Sequence, residues 1–208
     1  MRSTRMLAVD LGNSCGKSFF GEFKDGKLYF EEIDRFSNEP VSFYLREEDG
    51  TRIERLFWDD LYLYRNILNS LKRYKRKYGP HLDSIGIDTW GPDGQFINKN
   101  GELLGRIYCY RDHRLDRMIE KLTSMIPAQK LYEITGVQFQ PFNISNQLLW
   151  FVLNRAYMLD KCARYLPLPT IFYYFLGSGH AVDSTWASAT QLMDVRTKQW
   201  SAEIFAQL

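Results

Sequence analysis

The stretch of sequence that decides the fold is residues 6–30, MLAVDLGNSCGKSFFGEFKDGKLYF. Its aliphatic start leads into Asp10, and a glycine-bearing turn follows, as expected where a strand ends. Further along, the Asp25-Gly26 pair suits a tight hairpin between two more extended runs. The chain is therefore predicted to open as an antiparallel meander, with strands over residues 5–11, 18–23 and 28–36.

A long amphipathic helix is predicted after the meander. Residues 58–78 carry apolar side chains at helical spacing, at Leu61, Tyr64, Leu68 and Leu71. Gly79-Pro80 would end this helix. The polar segment 37–55 before it is expected to form an excursion off the meander.

The rest of the chain indicates the fold class. A buried strand is predicted over residues 84–90, and extended structure resumes over 95–98. Helical signals dominate from residue 128, with Ser145 as the expected cap of a helix over 146–154. This order is typical of an α/β domain of the ribonuclease-H-like (actin-like ATPase) type. We expect a mixed five-stranded sheet flanked by helices, with additional helical insertions.

Composition and charge exclude several classes of function. The 208 residues are 45% hydrophobic and 25% charged, which excludes a disordered or collagen-like chain. The 27 basic and 25 acidic side chains nearly balance, so the protein has no overall positive field that would attract a polyanion. The cationic run 72–77 is explained by its place at the C-terminus of the predicted helix, where positive charge is favourable. Apolar runs such as 148–153 are far shorter than the roughly 20 residues that cross a bilayer. We expect a cytoplasmic protein with no nucleic-acid partner and no membrane contact.

The first candidate site is Asp10 with the turn that follows it. A carboxylate at the end of a buried strand can hold Mg²⁺, which keeps several waters and binds through few carboxylates. Gly12 and Gly16 permit unusual dihedrals, so backbone N–H groups could face a phosphate, and Lys17 adds a positive charge. The alternative is that these residues form an ordinary hairpin turn that binds no ligand.

The second candidate site is the end of the strand GIDTWGPD, residues 86–93. A strand that ends in Trp90-Gly91 can leave a backbone amide, an aromatic wall and a carboxylate around a polar ligand such as a sugar. The alternative is that Trp90 belongs to the core and Asp93 is a turn residue.

A third candidate stretch is YRDHR, residues 110–114. Its mixed donors and acceptors, ahead of a predicted helix, suit the recognition of hydroxyl groups. Asp112 could equally be a helix N-terminal charge with Arg114 as its salt-bridge partner.

Taken together and in this order, these stretches resemble the FGGY family of carbohydrate kinases. The resemblance is to the N-terminal, sugar-binding lobe, covers residues 1–208, and is greatest to members that phosphorylate L-rhamnulose on its 1-hydroxyl. It is carried by AVDLG at 8–12, IGIDTWG at 85–91 with Asp93, YRD at 110–112 with Arg114, TGVQFQPFN at 135–143 and ATQL at 189–192.

The resemblance implies phosphorylation of a ketose with ATP and Mg²⁺. By position, the residues that would meet the nucleotide phosphates are Asn13, Ser14, Cys15, Gly16 and Lys17, and Asp10 would lie near magnesium. Gly91 would meet the sugar, and the further candidates for its pocket wall are Asp93, Tyr110, Phe142 and Asn143. Family members carry the aspartate that deprotonates the sugar in a C-terminal lobe, so the isolated chain is expected to be inactive.

Two other functions stay open at this stage. A ribonuclease-H-like nuclease would use Asp10 and Asp88 as paired metal carboxylates, although the glycines beside Asp10 are not needed for two-metal hydrolysis. A catalytically dead lobe could serve as a sugar-binding or regulatory module.

Overall fold

The structure is a computed structural model that describes residues 3–47 and 49–208. The strands of this part of the chain are β1 (Thr4–Leu11), β2 (Cys15–Lys24), β3 (Lys27–Ser37), β4 (Val41–Arg46), β5 (Arg52–Phe57), β6 (Ser84–Thr89), β7 (Gly94–Ile97) and β8 (Arg164–Pro167). Its helices are α1 (Asp60–Tyr78), α2 (Met118–Met125), α3 (Ala128–Thr135), α4 (Ile144–Asn154), α5 (Ala156–Leu159), α6 (Leu168–Phe175), α7 (Ser184–Ala189) and α8 (Ala202–Phe205).

The central sheet is mixed, with the strand order β3-β2-β1-β6. β1 to β3 form the predicted antiparallel meander, and β6 runs parallel to β1. Asp25 and Gly26 join β2 to β3 with φ values of 52° and 74°, the positive pair that a type I′ hairpin turn requires. The expected mixed sheet flanked by helices is confirmed.

This sheet has four strands rather than the expected five. The chain leaves it after β6, and β7 pairs with β8 in a separate two-stranded sheet. Gly94 permits the close approach, because a Cβ there would lie 2.4 Å from the carbonyl oxygen of Leu166. The partner of β7 lies about seventy residues further along the chain, where no local pattern indicates it.

β1 gives the sheet one covered and one open face. Leu7, Val9 and Leu11 are buried in the same core as α1, whereas Ala8 and Asp10 point to the exposed face. Because successive side chains of a strand point to opposite faces of the sheet, the neighbouring strands also have one buried and one exposed face. The functional groups of β1 therefore project from the open face.

Helix α1 forms where it is predicted, but it buries a different stripe. Asp59 caps its start by accepting a hydrogen bond from the Tyr62 N–H at 2.9 Å. The buried side chains are those of Leu63, Ile67, Ser70 and Tyr74. Leu61, expected on the buried face, is 65% exposed.

Part of the cationic run at the end of α1 is neutralised within the fold. Arg73 lies 3.2 Å from the Asp34 carboxylate, and Lys77 forms an ion pair with Glu31, both on β3. These contacts favour the structural explanation of the run over a polyanion site. Within the described residues, no helix combines the length and apolarity needed to span a membrane.

A second core lies between the β4–β5 hairpin and helices α2 to α4. The hairpin occupies much of the segment 37–55 expected as a polar excursion, and it is held by a stack of Phe43 on Phe57 at 4.6 Å. The expected cap at Ser145 is wrong, since α4 already begins at Ile144. Ser145 is fully buried, and its hydroxyl donates to Gln191 Oε1 at 2.7 Å.

Candidate functional site

Two turns leave the same edge of the sheet side by side. β1 and β6 are parallel neighbours, and their last residues, Leu11 and Thr89, are paired in register. The turn 12–14 follows β1 and the turn 90–93 follows β6. In open α/β sheets, ligands bind outside the carboxyl ends of the strands, so this edge is the natural place for a site.

Gly91, Phe142 and Asn143 line one small cavity beside the second turn, with a volume of about 120 Å³. Tyr110 adjoins it, with its ring 5.5 Å from the Phe142 ring in an edge-to-face arrangement. Four of the five predicted sugar-pocket residues are thus brought together.

Asp93, the fifth candidate, is 0% exposed and has no surface with which to form a pocket wall. Its Oδ2 accepts hydrogen bonds from the indole N–H groups of Trp58 (2.5 Å) and Trp90 (2.7 Å) and from the Tyr110 backbone N–H (3.2 Å). Trp90 itself is 8% exposed, as expected for a core residue. The structure therefore makes Asp93 a positioning residue that ties the Gly91 turn to the Tyr110 loop and the start of α1.

A second positioning residue, Gln147, was not predicted. Its amide donates to the carbonyl oxygens of Pro92 and Phe142, the latter at 3.0 Å. Its Oε1 accepts from the buried guanidinium of Arg114 at 2.6 Å. Gln147 therefore holds the two walls of the small cavity together across a sequence separation of about fifty residues.

The third stretch proves to be mainly structural. Asp112 and Arg114 are both buried, and Asp112 Oδ1 accepts from the Arg114 backbone N–H at 2.9 Å at the start of a short helical turn. Their side chains lie 3.8 Å apart, which agrees with the salt-bridge alternative. His113 is exposed.

Trp186 extends the site and was also missed by sequence reasoning. Its indole N–H donates to the Gly91 carbonyl oxygen at 2.7 Å, and it borders a larger adjoining cavity of about 520 Å³. That cavity also meets Asp88, Thr89 and Asp183, and its volume lies in the usual range for ligand sites of about 300–1,000 Å³. Gly91 thus lies between a small apolar cavity and a larger cavity whose lining is more polar. The sequence around Trp186 carries one local signal, the helix cap at Asp183, whose side chain accepts a hydrogen bond from the Thr185 N–H at 2.8 Å.

Burial raises the pKa of the Asp93 carboxyl from its ordinary 3.8 to about 6, although the indole donors and the nearby Arg114 act in the opposite direction. The folded state then holds a proton between about pH 4 and 6 that the unfolded chain has lost. The contribution of this group to stability is present at low pH and is lost as the pH rises through 6. Since a change of one in pKa corresponds to 1.36 kcal/mol, the free energy of unfolding falls by about 3 kcal/mol over this pH range.

We predict that this pH dependence disappears in Asp93→Asn, a neutral isostere. The measurement is urea unfolding of both proteins between about pH 4 and 7. The wild-type free energy of unfolding should fall relative to that of the variant by about 3 kcal/mol as the pH rises. Parallel pH profiles for the two proteins would show that Asp93 does not bind this proton.

The turn after β1 is a short hairpin connection. The Gly12 N–H donates to the Cys15 carbonyl at 2.9 Å, and Asn38 holds the loop through the carbonyl oxygens of Gly12 and Ser14. Asn13 and Cys15 are partly buried, while Ser14 is exposed. The five predicted phosphate-binding residues thus lie in sequence along this turn and the first residues of β2.

Gly16 is needed for a different reason from the one expected. Neither Gly12 nor Gly16 is among the residues with positive φ. Gly16 is buried, and a Cβ there would lie 2.2 Å from the Phe36 ring. The absence of a side chain at Gly16 is therefore a packing requirement on the covered face of the sheet.

We predict that Gly16→Ala destabilises the fold by about 1–3 kcal/mol, because Phe36 must move away. The matched control is Gly21→Ala on the same strand, whose Cβ would meet Met6 at an ordinary 3.6 Å. Urea denaturation should show a large loss for the first variant and little change for the second. Partial rescue by Phe36→Leu would confirm the steric cause, and equal stability of the two alanine variants would contradict it.

Asp10, Asp88 and Lys17 lie at paired positions of three neighbouring strands. Asp10 is paired in register with Asp88 on β6 and with Lys17 on β2, and both aspartates are exposed. Strands lie about 4.8 Å apart, so the two carboxylates are neighbours. Asn13 Oδ1, in the adjacent turn, is buried without a hydrogen-bond partner. These oxygen donors fit Mg²⁺, which binds through one or two carboxylates plus water and phosphate. No group of three or more metal-ligating side chains occurs in the described ranges.

Comparison with solved structures defines the class of fold. Gluconate kinase from Lactobacillus acidophilus superposes with a TM-score of 0.82 and 14% identity, over 99% of this chain and 39% of that one. Xylulose kinase from the same organism gives a TM-score of 0.80, also at 14% identity, over 98% of this chain and 39% of that one. The fold is that of the actin-like sugar kinases.

Sequence comparison then identifies the family. The model described as the FGGY family of carbohydrate kinases, N-terminal domain, matches residues 58–208, and the chain therefore belongs to this family. The rhamnulokinase of Pectobacterium atrosepticum is 35% identical over all of this chain and 40% of its own length. That of Bacillus subtilis is 34% identical over 95% of this chain and 38% of its own. The chain thus spans about 40% of the length of these curated relatives.

Proposed function

We propose that this chain is the sugar-binding lobe of an ATP-dependent ketose kinase whose substrate is L-rhamnulose, phosphorylated on its 1-hydroxyl. The observation that carries the proposal is the register of β1 with β6. It sets a turn suited to phosphate directly beside a turn whose glycine faces a cavity. The similarity to proteins named rhamnulokinase supports the choice of sugar.

In this proposal, the Gly91 turn orients the sugar. Gly91 is exposed, and its lack of a side chain leaves the backbone open to a hydroxyl group. Tyr110, Phe142 and Asn143 form the wall, while Asp93 and Gln147 fix its geometry from behind. Holding a hydroxyl group in line with a phosphoryl group is the main demand that phosphoryl transfer makes on a protein.

The turn 13–17 is assigned to the phosphates of ATP. Lys17 offers a positive charge next to Asp10, and Asp10 with Asp88 would hold Mg²⁺ through its water shell. When bound, the ion supplies neutralisation of phosphate charge. The proton-accepting carboxylate and the adenosine contacts are assigned to a second lobe of the same enzyme, as the length of the relatives suggests. The lobe by itself is expected to bind sugar without turning over ATP.

The test is calorimetric titration of the purified chain with L-rhamnulose, L-rhamnose and D-xylulose, followed by a coupled assay of ATP turnover. We expect L-rhamnulose to bind at least about tenfold more tightly than the other two sugars, a difference of about 1.4 kcal/mol. We expect no turnover. Failure of every ketose to bind would refute the sugar site, and rapid ATP-dependent phosphorylation would show that the base lies within these residues.

The adjacent carboxylates of Asp10 and Asp88 are also the arrangement that a metal-dependent nuclease would need. The same preparation is therefore assayed with RNA and DNA in the presence of Mg²⁺. We expect no cleavage above a metal-free control. Sustained cutting that Asp88→Asn abolishes would replace the kinase proposal with the nuclease.

A further inference from the structure

A separate cavity lies between the β4–β5 hairpin and the segment around α5. Its volume is about 440 Å³, and it shares no lining residue with either cavity beside Gly91. It lies in the range of small-molecule sites, which run from about 300 to 1,000 Å³. Nothing in the proposed kinase reaction uses it.

The lining of this cavity is positively charged. It carries three guanidinium groups, those of Arg46, Arg106 and Arg155, against the single carboxylate of Glu47 among its described residues. Glu47 is already engaged on both oxygens, with Arg55 at 3.0 Å and Arg155 at 2.7 Å. Glu47 therefore does not neutralise the other two guanidinium groups of the lining.

Those two charges belong to Arg46 and Arg106. Across the described residues, neither forms an ion pair, although the Asp60 carboxylate interacts electrostatically with Arg106, and both are exposed at the rim. Arg55 lies outside the lining and is already paired with Glu47 at 3.0 Å and with Asp112 at 3.6 Å. Concentrated guanidinium groups of this kind bind carboxylates and phosphates through paired hydrogen bonds.

The walls of the cavity are aromatic. The buried Phe57 ring, 4% exposed, lies 4.6 Å from both the Phe43 ring and the Tyr108 ring and supports Phe43, which is half-buried, from behind. The Arg106 guanidinium sits 5.4 Å above the Phe43 ring, so the charged rim and the aromatic wall are continuous. Tyr157, 57% exposed, closes another side. Such a surface favours a flat apolar body beside the anionic group.

We propose that this cavity is a second binding site, for a small organic anion with a flat aromatic body and a phosphate or carboxylate group. The body lies against Phe43 and Tyr157, and the anionic group is held by Arg46 and Arg106. Inorganic phosphate offers only the charge and a neutral aromatic alcohol offers only the body, so each alone binds weakly.

The experiment titrates the purified chain with phenyl phosphate, inorganic phosphate and benzyl alcohol, followed by calorimetry and by shifts of backbone amide NMR signals. Phenyl phosphate is expected to bind at least about tenfold more tightly than either of the other probes. Its shifts should map to the β4–β5 hairpin and residues 104–108. Equal binding of inorganic phosphate would reduce the site to a surface charge effect and overturn the proposal.

Single substitutions test the positive charge of the rim and the aromatic wall of the cavity separately. Arg46→Ala and Arg106→Ala should each weaken phenyl phosphate by about tenfold, and Tyr157→Ala should weaken it while leaving inorganic phosphate unchanged. Arg164→Ala, an exposed arginine on β8 outside the cavity, is the charge-matched control. Melting temperatures verify that each variant is folded.

The outcome is independent of the kinase proposal. The double variant Arg46→Ala/Arg106→Ala should bind L-rhamnulose as the wild type does, because it leaves the Gly91 site untouched. If wild-type protein fails to bind phenyl phosphate up to about 10 mM, or if the double variant binds it normally, the second site does not exist.

Discussion

Gly91→Val is expected to abolish L-rhamnulose binding, with a loss of at least about 100-fold in affinity, while the protein stays folded. The structure separates the two effects. A Cβ at position 91 would meet nothing within 4 Å, so the fold leaves open space where a side chain would begin. The added side chain would instead occupy the space at the border of the two cavities where the sugar is proposed to lie.

The matched control for this variant is Gly86→Val. Gly86 lies on β6, is also exposed, and has equally free space around its Cα. Valine there should leave sugar affinity unchanged and suit the strand. The measurement is calorimetric titration of both variants, with melting temperatures recorded in parallel. Normal sugar binding by a folded Gly91→Val protein would show that the pocket is elsewhere.

The second large effect is expected at Asp93. Asp93→Ala would leave two buried indole N–H groups and the Tyr110 N–H without their common acceptor. At about 1–3 kcal/mol for each of the three unsatisfied donors, the loss of unfolding free energy should be about 3–9 kcal/mol. That is a large part of the 5–15 kcal/mol typical of a folded domain.

Two variants calibrate the effect of Asp93. Asp93→Asn keeps an acceptor oxygen and should be much less destabilised than the alanine variant at pH 7. Trp58→Phe removes a single donor and leaves the other two in place, so it should cost less than Asp93→Ala. Urea denaturation measures all three. A loss below about 1 kcal/mol in Asp93→Ala would contradict the view that this carboxylate organises the site.

The strand meander could be predicted because its signals are local. Asp25-Gly26 fixes the hairpin between β2 and β3, and the aliphatic alternation of β1 fixes which residues are buried. The existence of α1 was also predictable, but its orientation was not. Two overlapping stripes of its apolar residues satisfy helical spacing. The packing against β2, where Ser18 and Ser70 share a buried hydrogen bond of 2.8 Å, selects the one through Leu63 and Ile67.

The candidate site was predictable to the extent that a family resemblance specifies residues. Gly91, Tyr110, Phe142 and Asn143 do lie together. Gln147 and Trp186 act through hydrogen bonds to residues 55 and 95 positions away, and such contacts leave no local signal in a sequence. The burial of Asp93 is likewise decided by Trp58, which is brought to it only by the tertiary fold.

The central claim, that the sugar occupies the Gly91 corner, is tested most directly by NMR on the ¹⁵N-labelled chain during titration with L-rhamnulose. The best reporter is the Trp186 indole N–H, which donates to the Gly91 carbonyl oxygen. We predict saturable shifts of this signal and of the Gly91 and Asn143 amides, with the β4–β5 hairpin unaffected. Saturable binding that leaves these three signals unmoved would contradict the account.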